Sequence, residues 1–294
     1  MSIVGDEGSN TIDGTADPDF ILGEGGDDFL HGFGGGDLID GGAGDDLLIG
    51  GDGNDWLTGS IGNDRLDGGA GDDFMAGGDG ADQFFGGDGN DIVTYAVATS
   101  GVSIDLAFNV TGGAAAGDQF SLVENIIGTK FNDTITASNF GSDAGNLFDG
   151  GDGDDTLSGG AGTDGLSGQN GNDILRGGAD SDSLSGGAGA DRFVYGSIAD
   201  SGVGAGADLI SDFTHAQGDK IDLAAIDPNT TVNGDQAFKF IGTGLYTHHA
   251  GELRFALTDA THTTIAGDVN GDGTSDFHIV LLGNISLVAG DFVL

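Results

Sequence analysis

Residues 41–67 read GGAGDDLLI (41–49), GGDGNDWLT (50–58) and GSIGNDRLD (59–67). This nine-residue word runs ten times without a slip from Gly5 to Thr94, and seven more times from Gly128 to Val194 with one insertion, Ala137 to Phe140. In the first run the sixth letter is Asn10, then Asp19, Asp28, Asp37, Asp46, Asp55, Asp64, Asp73, Asp82 and Asp91. In the second run it includes Asp133, Asp155, Asp164, Asp173, Asp182 and Asp191. The eighth letter of the first run is always apolar, from Ile12 and Ile21 through Leu57 to Phe84 and Val93. A disordered Gly/Asp-rich spacer would share this composition. It would have no reason to keep an apolar residue in phase.

The word predicts its own geometry. Six letters rich in Gly, Asp and Asn form a turn, because these residues accept positive φ. The last three form a short strand whose middle side chain faces one way and its neighbours the other. Two words then make one coil of about eighteen residues, and stacked coils bury the eighth letters in a narrow core. Each sixth-letter Asp is expected to meet the Asp of the next coil on its side. Carboxylates and turn carbonyls together make an oxygen cage for a hard cation. Calcium suits it, accepting six to eight oxygens in flexible geometry, whereas magnesium keeps its waters. The candidate ligands are the sixth-letter Asp residues named above. The turn residues Gly41, Gly44, Gly50, Gly53, Gly68, Gly71, Gly150, Gly153, Gly159 and Gly162 join them.

The repeated word resembles the calcium-binding nonapeptide of the RTX, or haemolysin-type, family. The resemblance implies an all-β fold, two stacked parallel β-roll blocks, with ions between alternate turns. It implies about eight sites in the first run and about five in the second.

The chain has 294 residues, with 49 acidic and 7 basic side chains and a net charge of −42. That balance excludes a nucleic-acid surface, since phosphates would be repelled. About thirteen calcium ions would bring about +26 and relieve much of the self-repulsion. Without them, like charges crowd every turn, so metal binding is expected to supply the folding free energy. There is no Cys, hence no disulfide or thiolate site. The start, MSIVGDEGSN, has neither the basic nor the apolar region of a signal peptide. No apolar run reaches the about eighteen residues of a spanning helix.

The seventh letter distinguishes the two faces of the first roll. Alternate words carry Phe20, Leu38, Trp56, Phe74 and Ile92 on one side, and Thr11, Phe29, Leu47, Arg65 and Gln83 on the other. The first set is an apolar ladder, which calls for a cover. Either the intervening segment or second roll packs there, or a surface, glycan or membrane partner does.

Four segments are expected: a first roll (1–94), an inter-roll β segment (95–127), a second roll (128–194) and a β-rich cap (195–294). In the segment, GVSIDLAF and FSLVENII read as strands joined by TGGAAAGD, decorating a continued coil. In the cap, LISDF, KIDL, AFKFI, ELRFAL, TTIAG and FHIVLL read as strands. GADLISDF followed by GDKIDLAAI resembles the C-terminal domain of serralysin-type secreted proteases. The resemblance implies that this part covers the last coil and carries a type I export signal. The final Asp291-Phe292-Val293-Leu294 resembles that signal, and also reads as a last strand.

Asp268, Asn270, Asp272 and Asp276 follow the spacing of a calcium loop, but Ile279 stands where the bidentate Glu belongs. A calcium loop and a plain polar turn both fit. His248, His249 and Glu252 form a weaker transition-metal candidate. No HExxH, GxSxG or phosphate loop occurs, and the repeats begin with no catalytic segment before them. The expected function is therefore a secreted, extracellular, non-enzymatic protein holding calcium, ten ions or more. It would be exported unfolded by type I machinery and fold outside. Two alternatives stay open: a calcium-dependent membrane-active effector like the nodulation-secreted proteins, and a polysaccharide- or surface-binding module like those of alginate epimerases.

Overall fold

A computed structural model describes residues 1–137, 145–229 and 236–294. Residues 138–140 of the expected insertion lie outside the described residues. The chain divides into two compact units, Met1–Ile135 and Thr136–Leu294.

The first unit is the parallel β-solenoid that the nine-letter period predicts. One sheet holds Ser2–Asp6, Phe20–Glu24, Leu38–Ala43, Trp56–Ile61, Phe74–Asp79, Ile92–Thr94 and Asn125–Ile127. The other holds Thr11–Thr15, Phe29–Gly34, Leu47–Asp52, Arg65–Ala70, Gln83–Asp88 and Gln119–Ser121. Within the runs each strand pairs with the strand two words away, so that Leu38 faces Trp56 and Leu47 faces Arg65. The eighth letters Ile21, Leu30, Ile39, Leu48, Leu57, Leu66 and Met75 are completely buried. Each such side chain contributes about 1.5–3 kcal/mol by leaving water. They form a single file between two sheets, which makes the core thin.

The intervening segment does continue the coil, but not as two simple strands. FSLVENII splits into Gln119–Ser121 and Asn125–Ile127, with Leu122 between them at φ 54°. The first piece pairs with Gln83–Asp88 and the second with Ile92–Thr94. The chain thus turns one more corner in four residues. TGGAAAGD begins as a strand: Val110–Gly113 pairs antiparallel with Val102–Asp105.

In the second unit, Leu147–Asp152, Gly165–Asn170, Ser183–Ser185 and Asp208–Ile210 stack in parallel on one side. Thr156–Ala161, Ile174–Ala179, Arg192–Val194 and Lys220–Asp222 do so on the other. The repeats therefore hand over to the cap without a break in pairing. An antiparallel meander, Glu252–Leu257, His262–Asp268 and Phe277–Leu282, closes the first sheet. Phe292–Val293 closes the second by pairing with Ile221 and Asp222. Of the final tetrapeptide only Phe292–Val293 is a strand, with Phe292 buried.

Candidate metal centre

The sixth-letter Asp residues are buried almost completely, Asp28 to Asp91 each being at most 4 % exposed. The regular strands run six residues, as Leu38–Ala43 does, and not the expected three, continuing into the first letters of the next word; the neighbouring coils shield the carboxylates. Their arrangement differs from the expected face-to-face meeting. Each carboxylate accepts, through Oδ1, the backbone N–H of the Asp one coil earlier. The amide of Asp37 donates to Asp55 and that of Asp55 to Asp73, each at 2.8 Å. The amide of Asp46 donates to Asp64, and that of Asp64 to Asp82, at 2.8 and 2.9 Å. The second unit repeats this from Asp155 to Asp173, Asp164 to Asp182 and Asp173 to Asp191. The rows run head to tail because a buried carboxylate needs a donor, and the turn amide of the previous coil is the nearest.

Oδ2 has no such donor. It is buried without a hydrogen-bond partner in Asp28, Asp37, Asp46, Asp55, Asp64, Asp73 and Asp91, and in Asp164, Asp173, Asp182 and Asp191. Each of these oxygens lies beside the first-letter Gly of its own word. At Gly50 a Cβ would stand 2.2 Å from Asp55 Oδ2 and 2.6 Å from the Gly68 carbonyl oxygen. At Gly68 the same point meets Asp73 Oδ2 at 2.2 Å and the Gly86 carbonyl at 2.8 Å. At Gly41, Gly150 and Gly159 it meets Oδ2 of Asp46, Asp155 and Asp164. The fourth letters stack on carbonyls: Gly44, Gly53 and Gly71 would meet those of Gly26, Gly35 and Gly53. Gly153 and Gly162 share their positive φ. Carboxylate and carbonyl oxygens thus converge on each turn, with room that only Gly leaves.

The charge has a cost without a cation. Burial raises Asp64, Asp73 and Asp182 to about 7. It raises Asp46, Asp55, Asp82, Asp91, Asp164, Asp173 and Asp191 to about 6. The amide hydrogen bond to Oδ1 opposes the rise, and neighbouring acidic side chains add to it. Buried, unsatisfied anionic oxygens next to carbonyls are the donor set of a hard divalent cation such as calcium. Among the described residues no three His, Cys, Asp or Glu side chains converge on one point, so carbonyls must complete any shell here.

Three candidates sit differently. Asp19 lies beside the amino group of Met1, 2.5 Å from Oδ1. Asp133 accepts N–H bonds on both oxygens, from Val102 and Thr129. In the loop after His262–Asp268, Asp268 accepts from the amides of Gly271 and Gly273, and Asp276 from Val269 and Asn270. Asn270 Oδ1 and Asp272 Oδ1 likewise take the amides of Asp272 and Thr274. The loop's oxygens are turned inward onto its own backbone. The carboxylate of Glu252 is taken by Thr247, and His248 Nδ1 lies against the carbonyl of Asp272, so the three groups do not form a site together.

Four acidic residues outside the words extend the rows. Asp118 accepts from the amide of Asp82, Glu124 from Asp91, Asp208 from Asp182 and Asp219 from Asp191. The residual signal was an acidic residue two before a buried apolar one, as in Asp118-Gln119-Phe120 and Asp219-Lys220-Ile221.

Outside the rows, Phe20, Leu38 and Trp56 remain 38, 38 and 51 % exposed. The intervening segment does not cover the ladder, because it is spent on the extra coil. Trp56 and Phe74 pack on each other at 4.6 Å between ring centroids. No helix among the described residues is long and apolar enough to cross a membrane.

Residues 109–294 match the family model described as Peptidase M10 serralysin C terminal. Residues 4–39, 31–66 and 58–93 match the RTX calcium-binding nonapeptide repeat (4 copies). No curated protein matches. Among solved structures, the AlgE6R3 subunit of the Azotobacter vinelandii mannuronan C5-epimerase is 33% identical; the match covers 52% of this chain and 80% of that one, with a TM-score of 0.39. The AlgE6R2 subunit of the same enzyme is 30% identical over 59% of this chain and 94% of that one, with a TM-score of 0.36.

Proposed function

The chain belongs to the serralysin C-terminal family and carries RTX calcium-binding repeats, and we propose that it is a secreted, non-enzymatic protein that folds when calcium fills its turns. The observation that carries this reading is the succession of buried Asp Oδ2 atoms with no donor, from Asp28 to Asp73, at Asp91, and again from Asp164 to Asp191. These Asp residues, with the first- and fourth-letter Gly carbonyls, would hold the ions. Calcium supplies the positive charge that the turns lack; the chain's own residues fix where the oxygens stand and keep water from them. The 1–94 and 128–194 runs would act as the calcium-bearing rolls, the 95–127 segment as their link, and 195–294 as cap and export signal.

Weak extracellular-type calcium sites have dissociation constants of about 10⁻⁴ to 10⁻³ M. Such sites stay empty in a calcium-poor cytosol. The chain would then pass unfolded through a type I channel and fold outside. Calcium titration of the EDTA-treated protein, read by far-UV circular dichroism and Trp56 fluorescence, tests this. The β signal should rise cooperatively between about 0.1 and a few mM calcium, with magnesium failing to replace it. A metal-free protein that is already folded and does not respond to calcium would sink the proposal.

The exposed Phe20–Leu38–Trp56 ladder favours one second reading, calcium-dependent contact with a membrane surface through that face. Liposome leakage that needs calcium and disappears in Trp56→Asp would support it. Leakage unchanged in that variant would exclude the ladder.

A further inference from the structure

In every one of the words the first letter is Gly, and after each run the next first letter is tyrosine: Tyr95 follows Thr94, and Tyr195 follows Val194. The first letter faces the roll interior, as the buried Gly50, Gly59 and Gly68 do. Tyr95 and Tyr195 are likewise buried, at 6 and 3 % exposure. The hydroxyl of Tyr95 donates to Asp118 Oδ2 at 2.5 Å. Asp118 Oδ1 accepts the amide of Asp82 at 2.8 Å, as a sixth letter does. Tyr95 and Asp118 are therefore letters one and six of a single word, split by residues 96–117.

The second unit has the same two letters without the bond. Asp208 Oδ1 accepts the amide of Asp182 at 3.1 Å, which makes Asp208 the sixth letter of a word whose first is Tyr195. Asp208 Oδ2 and the Tyr195 hydroxyl are both buried and neither has a hydrogen-bond partner, so this word keeps the orphaned oxygen of the regular rows. Burial raises the Asp208 carboxyl to about 8. In all the regular words the corresponding oxygen faces a bare Gly.

We propose that Tyr95 is a plug that takes calcium's place at the last carboxylate of its row, so that Asp118 holds no ion. The inference rests on the calcium reading of the rows. A phenol suits the task because its ring fills the space that Gly leaves open and its hydroxyl gives the orphaned oxygen a neutral donor. The row then ends on a hydrogen bond rather than on an open metal site at which the next turn is missing. An ion could enter only by displacing a buried aromatic ring.

Native mass spectrometry of the full chain in calcium counts ions one by one and tests this. Asp118→Asn should bind as many ions as the wild type, while Asp55→Asn loses at least one. Loss of an ion in Asp118→Asn would overturn the plug and leave the calcium rows standing. No loss in Asp55→Asn would instead overturn the calcium reading on which it rests. If the Asn variants fail to fold, Tyr95→Phe serves. Stripping the hydroxyl leaves Asp118 Oδ2 without a donor, so the calcium midpoint for folding should rise roughly 1.5- to 3-fold at an unchanged ion count. An unchanged midpoint would show that the hydroxyl does nothing.

Discussion

At the scale of the residue, the first-letter Gly is a steric requirement and not merely a turn preference. A methyl group at Gly50 would stand 2.2 Å from Asp55 Oδ2 and 2.6 Å from the Gly68 carbonyl. Gly50→Ala must push one of the two oxygens away. It should destabilise the calcium-loaded protein by about 1–3 kcal/mol, as overpacking does, measured by urea unfolding in saturating calcium. Gly8→Ala is the control: its nearest neighbour, Asp6 Oδ1, would be 3.4 Å away, and its stability should change by less than about 0.5 kcal/mol. Equal effects at both positions would refute the oxygen cradle. The sixth-letter Asp residues were legible because their spacing never varies. The use of each oxygen was not, since a spacing does not say whether Oδ1 meets a carboxylate or an amide.

At the scale of the element, a row of carboxylates behaves as one titrating system. Burial raises Asp208 to about 8, Asp64, Asp73 and Asp182 to about 7 and Asp46 and Asp55 to about 6, from an ordinary 3.8. The folded metal-free chain thus binds protons more tightly than the unfolded one. Its stability is greatest below about pH 4 and is lost as pH rises through about 6 to 8. Two outcomes are expected. Without calcium, β signal should grow as pH falls from 7 towards 4.5. With calcium, the folding midpoint should move to higher calcium at pH 5 than at pH 7.5, because protons compete for the same oxygens. A metal-free chain that gains no structure on acidification would contradict the raised carboxyls. The core makes an independent prediction. Leu57 is fully buried in a single file, so Leu57→Ala should cost about 2–5 kcal/mol in saturating calcium, by the same urea measurement. Strand periodicity was legible wherever the word was intact. It failed at FSLVENII, where the chain turns at Leu122 and two strands replace one. There the pairing with Gln83–Asp88 and Ile92–Thr94 decides, and neither partner is near in sequence.

At the scale of the whole molecule, a net charge of −42 opposes compaction unless cations enter. Stability is then a function of calcium activity, through the free energy of ions that bind the folded chain alone. Adding a chelator to the folded protein should make it cleavable throughout the repeats within minutes, and millimolar calcium should restore resistance. Proteolysis indifferent to chelator would rule out calcium-dependent stability. Trp56→Asp should leave the calcium midpoint within about twofold of the wild type, since Trp56 is half exposed and contacts Phe74 on the surface. A large shift would mean that the ladder contributes to the fold and not only to its outer face.

The nine-letter period by itself determined the solenoid, the buried eighth letters and the acidic turns, because every coil repeats one local instruction and pairs only with its neighbours. It also indicated calcium, because Gly and Asp at that spacing bring oxygens together and little else. Only the tertiary structure decided which oxygens are left without donors, since each Asp Oδ1 is taken by an amide that lies a full coil away. The same holds for Asp118, Glu124, Asp208 and Asp219, which join the rows from outside any intact word. Their places depend on chain returning after an excursion, and an acidic residue two before an apolar one occurs too widely in this chain to mark where an excursion ends.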